Sequence, residues 1–219
     1  MSHIMLKYQV HQSGNTPPKN AVILLHGYGA NGADLIELGK VFSETNPETV
    51  FIAPDAPTPC EMGGPGFQWF SLREYTPASL KAGSQQAFPV LKELITHIKS
   101  EYDLKDKSIA LMGFSQGTMM SLYAMLQMPE TIATVIGYSG ALAEDTVEAR
   151  PAYDDFPVAL VHGDADLVVP VQATVMATHI LEKAGFDVTQ EIITNLGHGI
   201  DNSGLEIGKK MLKMRLKLE

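Results

Sequence analysis

The amino-acid sequence predicts an α/β fold, a mostly parallel sheet with helices on both faces. Short apolar runs, several rich in β-branched residues, alternate with longer amphipathic stretches. Several of the short runs are apolar at consecutive positions, as strands buried on both faces are. The chain of 219 residues is read as one domain, 1–219, because domains commonly run to about 100–200 residues and no repeat, low-complexity tract or linker divides it.

Leu6–Gln12 reads as an extra edge strand, and Ala21–Gly27 as the first buried one. A helix follows over Ala33–Glu44, then a strand over Val50–Pro57. The next helix spans Pro77–Ser100, with Thr76 as N-cap and Pro77 at the first helical position. Pro89 inside it is expected to kink or break it. Ser108–Phe114 is a strand, and the Met-rich stretch Thr118–Met128 is a helix expected to be buried. Thr134–Gly140, Pro157–Asp164 and Val188–Thr194 complete the strands, and a helix starts after Pro170 and stops at Gly185. In Lys209–Lys217 basic residues mix with Met211, Leu212, Met214 and Leu216, with Leu218 beyond, which suits a terminal helix packed on the core better than one on a membrane surface.

Bulk properties narrow the function. A net charge of −9 repels phosphate backbones, so no nucleic-acid partner is expected. No run approaches the roughly 18–20 apolar residues of a membrane span, so no membrane insertion is expected. The opening residues MSHIMLKYQV lack a charged leader followed by a long apolar stretch, so no secretory signal is expected. Cys60 is the only cysteine, which excludes an internal disulfide and fits a reducing compartment; the cytoplasm is the expected location.

Open α/β sheets keep their chemistry beyond the C-terminal ends of the strands, so reactive groups are expected there. Gly113-Phe114-Ser115-Gln116-Gly117 matches the G-x-S-x-G elbow, which lifts a serine hydroxyl out of a sharp strand-to-helix turn. The alternative role for Ser115 is to cap the helix. A serine nucleophile needs a base. His198 follows the last strand, flanked by Gly197 and Gly199. His3 and His11 lie near the N-terminus and His97 and His179 in helical stretches, where surface or packing roles suffice, and His162 closes a strand and reads as structural. Asp164 and Asp166 follow the penultimate strand. Asp164, at the immediate strand exit, is expected to accept backbone N–H bonds in the turn, while Asp166 can reach back to His198. The chain order Ser115, Asp166, His198 is that of the α/β-hydrolase triad. Backbone N–H groups of Gln116 and of Tyr28, in the glycine-rich loop after the first buried strand, are the expected oxyanion donors.

With these parts in place the sequence resembles the phospholipase/carboxylesterase family, which includes acyl-protein thioesterases and small bacterial carboxylesterases. The matching stretches are LLHGYGANG (Leu24–Gly32), FIAPDAP (Phe51–Pro57), GFQWFSL (Gly66–Leu72), GFSQG, HGDADLVVP (His162–Pro170) and LGHGI (Leu196–Ile200). The resemblance implies an α/β-hydrolase fold without a large cap domain, acting on a small-molecule ester or thioester of modest acyl size. It implies the triad Ser115, Asp166 and His198, donors at Tyr28 and Gln116, and no metal or cofactor. It leaves open an acyl-protein thioesterase, a lysophospholipase, transfer to an alcohol other than water, a non-catalytic binder, and a homodimer. The sequence departs from the family's frequent leucine at Tyr28 and aspartate at Ser71, both where substrate should enter. A substrate pocket is expected at Phe70, Leu142 and Val169, with Trp69 either lining it or anchoring its loop.

Overall fold

The alternation of the sequence becomes three layers in the computed structural model, which describes residues 5–154 and 156–216. Strands β1 (Tyr8–His11), β2 (Asn20–Leu25), β3 (Thr49–Pro54), a small hairpin β4 (Thr58–Pro59) and β5 (Phe67–Gln68), β6 (Ile109–Phe114), β7 (Ile132–Tyr138), β8 (Pro157–Gly163) and β9 (Asp187–Ile193) alternate with helices α1 (Gly32–Ser43), α2 (Pro77–Glu101), α3 (Gln116–Gln127), α4 (Gln172–Lys183) and α5 (Asn202–Arg215). Seven strands form one sheet in the order β1-β3-β2-β6-β7-β8-β9. Pairing is parallel except at β1, which runs antiparallel to β3 as the expected edge strand. The expectations placed on His3, Lys217 and Leu218 lie outside the described residues.

The burial pattern explains this order. Every residue of β2, β3, β7 and β8 is buried, which requires helices on both sides. β9, whose Thr189, Gln190 and Glu191 interrupt the apolar run, forms the other edge and is largely exposed. One apolar layer joins α2, α3 and α4 to the sheet through Leu91, Leu94, Ile98, Met119, Met125 and Leu181. The other joins α1 and α5 through Ile36, Phe42, Met211 and Leu212. Each such fully buried side chain contributes about 1.5–3 kcal/mol of apolar transfer.

The helices start where their caps dictate. Asn31 accepts from Asp34 N–H at 3.0 Å, and Thr76 and Ser79 form a reciprocal capping box with Pro77 inside the first turn. Asp201 accepts from Gly204 N–H at 2.8 Å, which starts the C-terminal helix seven residues before the stretch singled out in the sequence. Pro89 does not break α2, which is continuous from Pro77 to Glu101. Both Pro89 and Gln85, whose carbonyl loses its helical partner, lie on the exposed face, where water can take the freed carbonyl.

The parallel registers bring the C-terminal ends of the strands level. Leu25 pairs with Gly113, Gly113 with Gly137, and Gly163 with Ile193, so the loops after β2, β6, β8 and β9 open on one side of the sheet.

Candidate active site

Ser115 sits between β6 and α3 with φ 54° and ψ −116°, a conformation that L residues rarely adopt and that turns the chain sharply. The two glycines of the motif make the turn possible. A Cβ on Gly117 would lie 1.8 Å from the Leu25 carbonyl oxygen, and one on Gly113 would lie 2.3 Å from the Gly117 carbonyl oxygen. No relaxation of a side chain could relieve either clash, because both opposing atoms are backbone. Ser115 N–H donates to Tyr138 O at 2.9 Å, and the Thr118 hydroxyl lies 2.8 Å from Gly113 O and 2.9 Å from Tyr138 O, tying the elbow to β7. The Ser115 side chain makes no capping bond to α3, which removes the capping alternative.

His198 and Asp166 meet beside this elbow. The carboxylate Oδ2 of Asp166 lies 2.7 Å from His198 Nδ1, while Oδ1 accepts from the Val168 and Val169 amides at 2.8 and 2.9 Å. Burial alone would raise the Asp166 carboxyl, but the bonds from His198, Val169 and Val168 hold it below the ordinary carboxylate value. An ionised Asp166 fixes the proton of His198 on Nδ1, leaving Nε2 as the basic nitrogen. The His198 ring packs on Phe114 of the elbow with centroids 4.8 Å apart. Its Nε2 makes no hydrogen bond among the described residues; such contacts commonly tighten only when substrate binds. His162 is fully buried, as its structural reading requires, with Nδ1 2.7 Å from Thr174 Oγ1 and Nε2 2.9 Å from Val169 O and 3.1 Å from Asp166 Oδ2. Asp164 accepts from a backbone N–H, but across to Asn195 at 2.7 Å rather than within its own turn. It thereby holds the loop that carries His198.

The two expected oxyanion donors lie on either side of the elbow. A Cβ on Gly27 would be 3.2 Å from Ser115 Cβ, so the Gly27–Tyr28 peptide adjoins the serine. Among the described residues the Tyr28 and Gln116 N–H groups have no backbone partner. The opposite face of the Tyr28 peptide is pinned: Gly27 O lies 2.7 Å from His26 Nδ1 and accepts from Ala30 N–H at 3.2 Å. His26 is fully buried and its Nε2 accepts from Ala56 N–H at 2.9 Å, so Nδ1 carries the proton and donates to Gly27. Burial lowers the His26 pKa, against the opposing effects of the Gly27 bond, Asp55 and Asp34. An unfolded histidine takes up a proton near pH 6.5 that folded His26 resists, so the unfolded state binds more protons and stability falls as pH drops below about 6.5, by at most about 1.4 kcal/mol per unit. Thermal melts from pH 8 to pH 5 should show this fall, and His26→Gln should flatten it; an unchanged slope in the variant would assign the effect elsewhere.

The segment Phe67–Arg73 straps these parts together. Gln116 uses its side chain on the strap, accepting from Trp69 N–H at 2.9 Å and donating to Phe70 O at 2.8 Å. Gly29 N–H donates to Phe67 O and Phe67 N–H to Ala30 O, both at 2.8 Å. Trp69 Nε1 donates to His26 O at 3.0 Å. The two departures from the family pattern meet on one carboxylate: Glu61 accepts from Tyr28 Oη at 3.3 Å and from Ser71 Oγ at 2.8 and 3.0 Å. Leu72 N–H donates to it at 3.1 Å, and Arg73 Nε lies 3.1 Å away. The Ser71 hydroxyl first, then, against partial burial, the Leu72 amide, Arg73 and Tyr28 hold Glu61 below the ordinary glutamate value. Burial first, then Cys60 and Glu61, push the Tyr28 phenol up to about 12, so it stays a donor.

A cavity of about 500 Å³ is lined by Tyr75, Leu80, Leu142, Pro170, Met176 and Ile180, among others. Leu142 lies two residues beyond Gly140, where a Cβ would meet the Ser115 carbonyl oxygen at 2.8 Å, and Pro170 follows Val169, whose N–H donates to Asp166, so one wall adjoins the elbow and the Asp166–His198 pair. Of the expected pocket residues Leu142 lines this cavity, whereas Trp69, Phe70 and Val169 are buried outside its lining, with Trp69 Nε1 bonded to His26 O and Val169 O to His162. The roles of His26 and Glu61 were not read from the sequence. His26 stood between a buried strand and a glycine-rich loop, a signal that could have been used; Glu61 carried none. Among the described residues no group of three or more His, Cys, Asp or Glu side chains could hold a metal ion, and no helix is long and apolar enough to cross a membrane.

Comparison with known proteins accords with this geometry. The phospholipase/carboxylesterase family profile matches residues 6–216. The chain is 30% identical over 203 residues to esterase YpfH of Escherichia coli, covering 92% of this chain and 85% of the relative. It is 27% identical to acyl-protein thioesterase 1 homolog 1 of Dictyostelium discoideum over 99% of both chains. The crystal structure of esterase PE8 superposes with a TM-score of 0.90 at 35% identity, covering 97% of this chain and 100% of that one. An uncapped serine at a sharp elbow, an Asp–His pair joined at 2.7 Å beside it and the match along nearly the whole chain lead to one conclusion: the chain is a serine hydrolase of the phospholipase/carboxylesterase family.

Proposed function

We propose that this chain hydrolyses carboxylic esters of short to medium acyl chains through an acyl-enzyme on Ser115. The observation that carries the reading is the Asp166–His198 pair at 2.7 Å beside a strained serine whose hydroxyl does not cap its helix. His198 Nε2 takes the Ser115 proton as Oγ attacks the acyl carbonyl. The carbonyl oxygen becomes an oxyanion that accepts from the Tyr28 and Gln116 amides. Collapse breaks the acyl–oxygen bond, and His198 returns its proton to the leaving alcohol. Water then attacks the acyl-enzyme with His198 again as base, and the acid leaves with Ser115 restored. Asp166 stabilises the imidazolium at each stage without taking its proton.

The apolar cavity with Leu142 in its wall is assigned to the acyl group. Thioesters would use the same groups, a reading favoured by the relative named as an acyl-protein thioesterase. All the groups named come from one chain, which we take as a single catalytic domain, 1–219; a homodimer is compatible with the site but not required by it. The single cysteine favours the cytoplasm.

The test is a fluorophosphonate labelling experiment followed by matched esters and thioesters of increasing acyl length. We expect labelling at Ser115, best turnover with short to medium esters, and no jump in rate at the critical micelle concentration. Absence of labelling would remove the acyl-enzyme. A sharp interfacial jump would point to a lipase, and a thioester preference across the series to the thioesterase reading.

A further inference from the structure

We infer that Glu61 is a positioning residue for the oxyanion hole, holding the Phe67–Arg73 strap against both Tyr28 and Gln116. The inference rests on the proposed roles of those two amides. Glu61 lies just beyond β4, outside the elbow, the histidine loop and the aspartate loop. Its carboxylate is nonetheless the meeting point of the Tyr28 phenol, the Ser71 hydroxyl, the Leu72 amide and Arg73. Its own N–H donates to Gln68 Oε1 at 2.8 Å, so the residue is fixed at both backbone and side chain.

Five hydrogen bonds link this carboxylate and its strap to the donors. One is direct, through the Tyr28 ring. The other four run through the strap: the Gly29–Phe67 and Phe67–Ala30 backbone bonds, the Trp69 bond to the Gln116 side chain, and the Gln116 bond to Phe70 O. The Tyr28 and Gln116 amides belong to different loops, after β2 and β6. Only if the two loops keep a fixed separation can both N–H groups reach one oxygen at about 2.7–3.1 Å. The strap spans that separation, and Glu61 holds three consecutive residues at its far end, Ser71, Leu72 and Arg73. His26 fixes the plane of the Tyr28 peptide from below; Glu61 fixes the Tyr28 side chain and the strap from the solvent side.

A misplaced donor costs transition-state binding more than ground-state binding, so the signature lies in kcat. Steady-state kinetics on p-nitrophenyl butyrate, with thermal melts, should be measured for Glu61→Gln, Tyr28→Phe and the double variant. Gln keeps one oxygen acceptor but turns an amino group toward donors. We expect Glu61→Gln to lower kcat about tenfold with KM within about twofold, and Tyr28→Phe to lower it about threefold. The double variant should be no slower than Glu61→Gln alone, because both changes break one contact. Unchanged kcat, a loss confined to KM, or independent losses that multiply would each overturn the inference. If Glu61→Gln does not fold, Ser71→Ala replaces it, with a kcat loss of about threefold expected and an unchanged kcat overturning the proposal. Fluorophosphonate labelling of the wild-type protein keeps the two questions apart. An unlabelled wild type defeats the Ser115 mechanism itself, whereas normal labelling with unaffected variants defeats only the role of Glu61.

Discussion

Ser115→Ala abolishes ester hydrolysis and fluorophosphonate labelling in a protein that folds as the wild type does. The hydroxyl makes no capping bond to α3, so its removal takes no bond from the native state. Alanine keeps the Cβ, so the unusual backbone at this position is no better or worse accommodated than before. Stability should therefore stay within about 0.5 kcal/mol of wild type, the usual range for changes that remove no special contact. Turnover should fall by at least about 10⁴, since the other members of a triad act only through the nucleophile. Circular dichroism melts and initial rates check both halves. A folded variant keeping more than about a tenth of the wild-type rate would eliminate the covalent mechanism.

The second large effect separates two neighbouring carboxylates. Asp166→Asn should lower kcat by about 10²–10⁴ with little change in melting temperature, because an amide can present its N–H to His198 and favour the wrong tautomer. The Val168 and Val169 amides can still donate to the remaining oxygen, which is why the fold tolerates the change. Asp164→Asn removes the charge from a single exposed bond to Asn195 and should cost about 0.5–1 kcal/mol of stability with kcat within about threefold. Parallel kinetics and melts of the pair decide the matter. If Asp164→Asn proved the inactive one, the acid would have been assigned to the wrong residue.

The parts of the site that could be read from the sequence are those whose information is local. The elbow is five contiguous residues, and the aspartate and histidine loops directly follow strands whose apolar runs identify them. The fold was legible for the same reason, since β2, β3, β7 and β8 are buried at every position. What escaped depends on distant residues. The β4–β5 hairpin has two-residue strands, too short for any periodicity. Glu61 is indistinguishable from a surface glutamate until the strap returns to it. The cavity wall draws Met176 and Ile180 from α4 and Tyr75 from the loop before α2, whereas the aromatic pair Trp69 and Phe70, within the strap, is buried away from it. Hydrophobicity alone does not say whether a buried ring faces a cavity or a core.

The backbone of Ser115 has a consequence for how such a protein can change over evolutionary time. With φ 54° and ψ −116°, any residue bearing a Cβ is held there against its own preference, at a cost on the order of 1–3 kcal/mol. Glycine alone would sit there without strain. The thermodynamically favoured residue at the centre of the motif is thus the one that cannot react. Mutational drift toward stability would carry the lineage toward an inert scaffold, and only selection for turnover opposes it. A serine at this position keeps the hydroxyl at the cost of the strain that glycine would avoid.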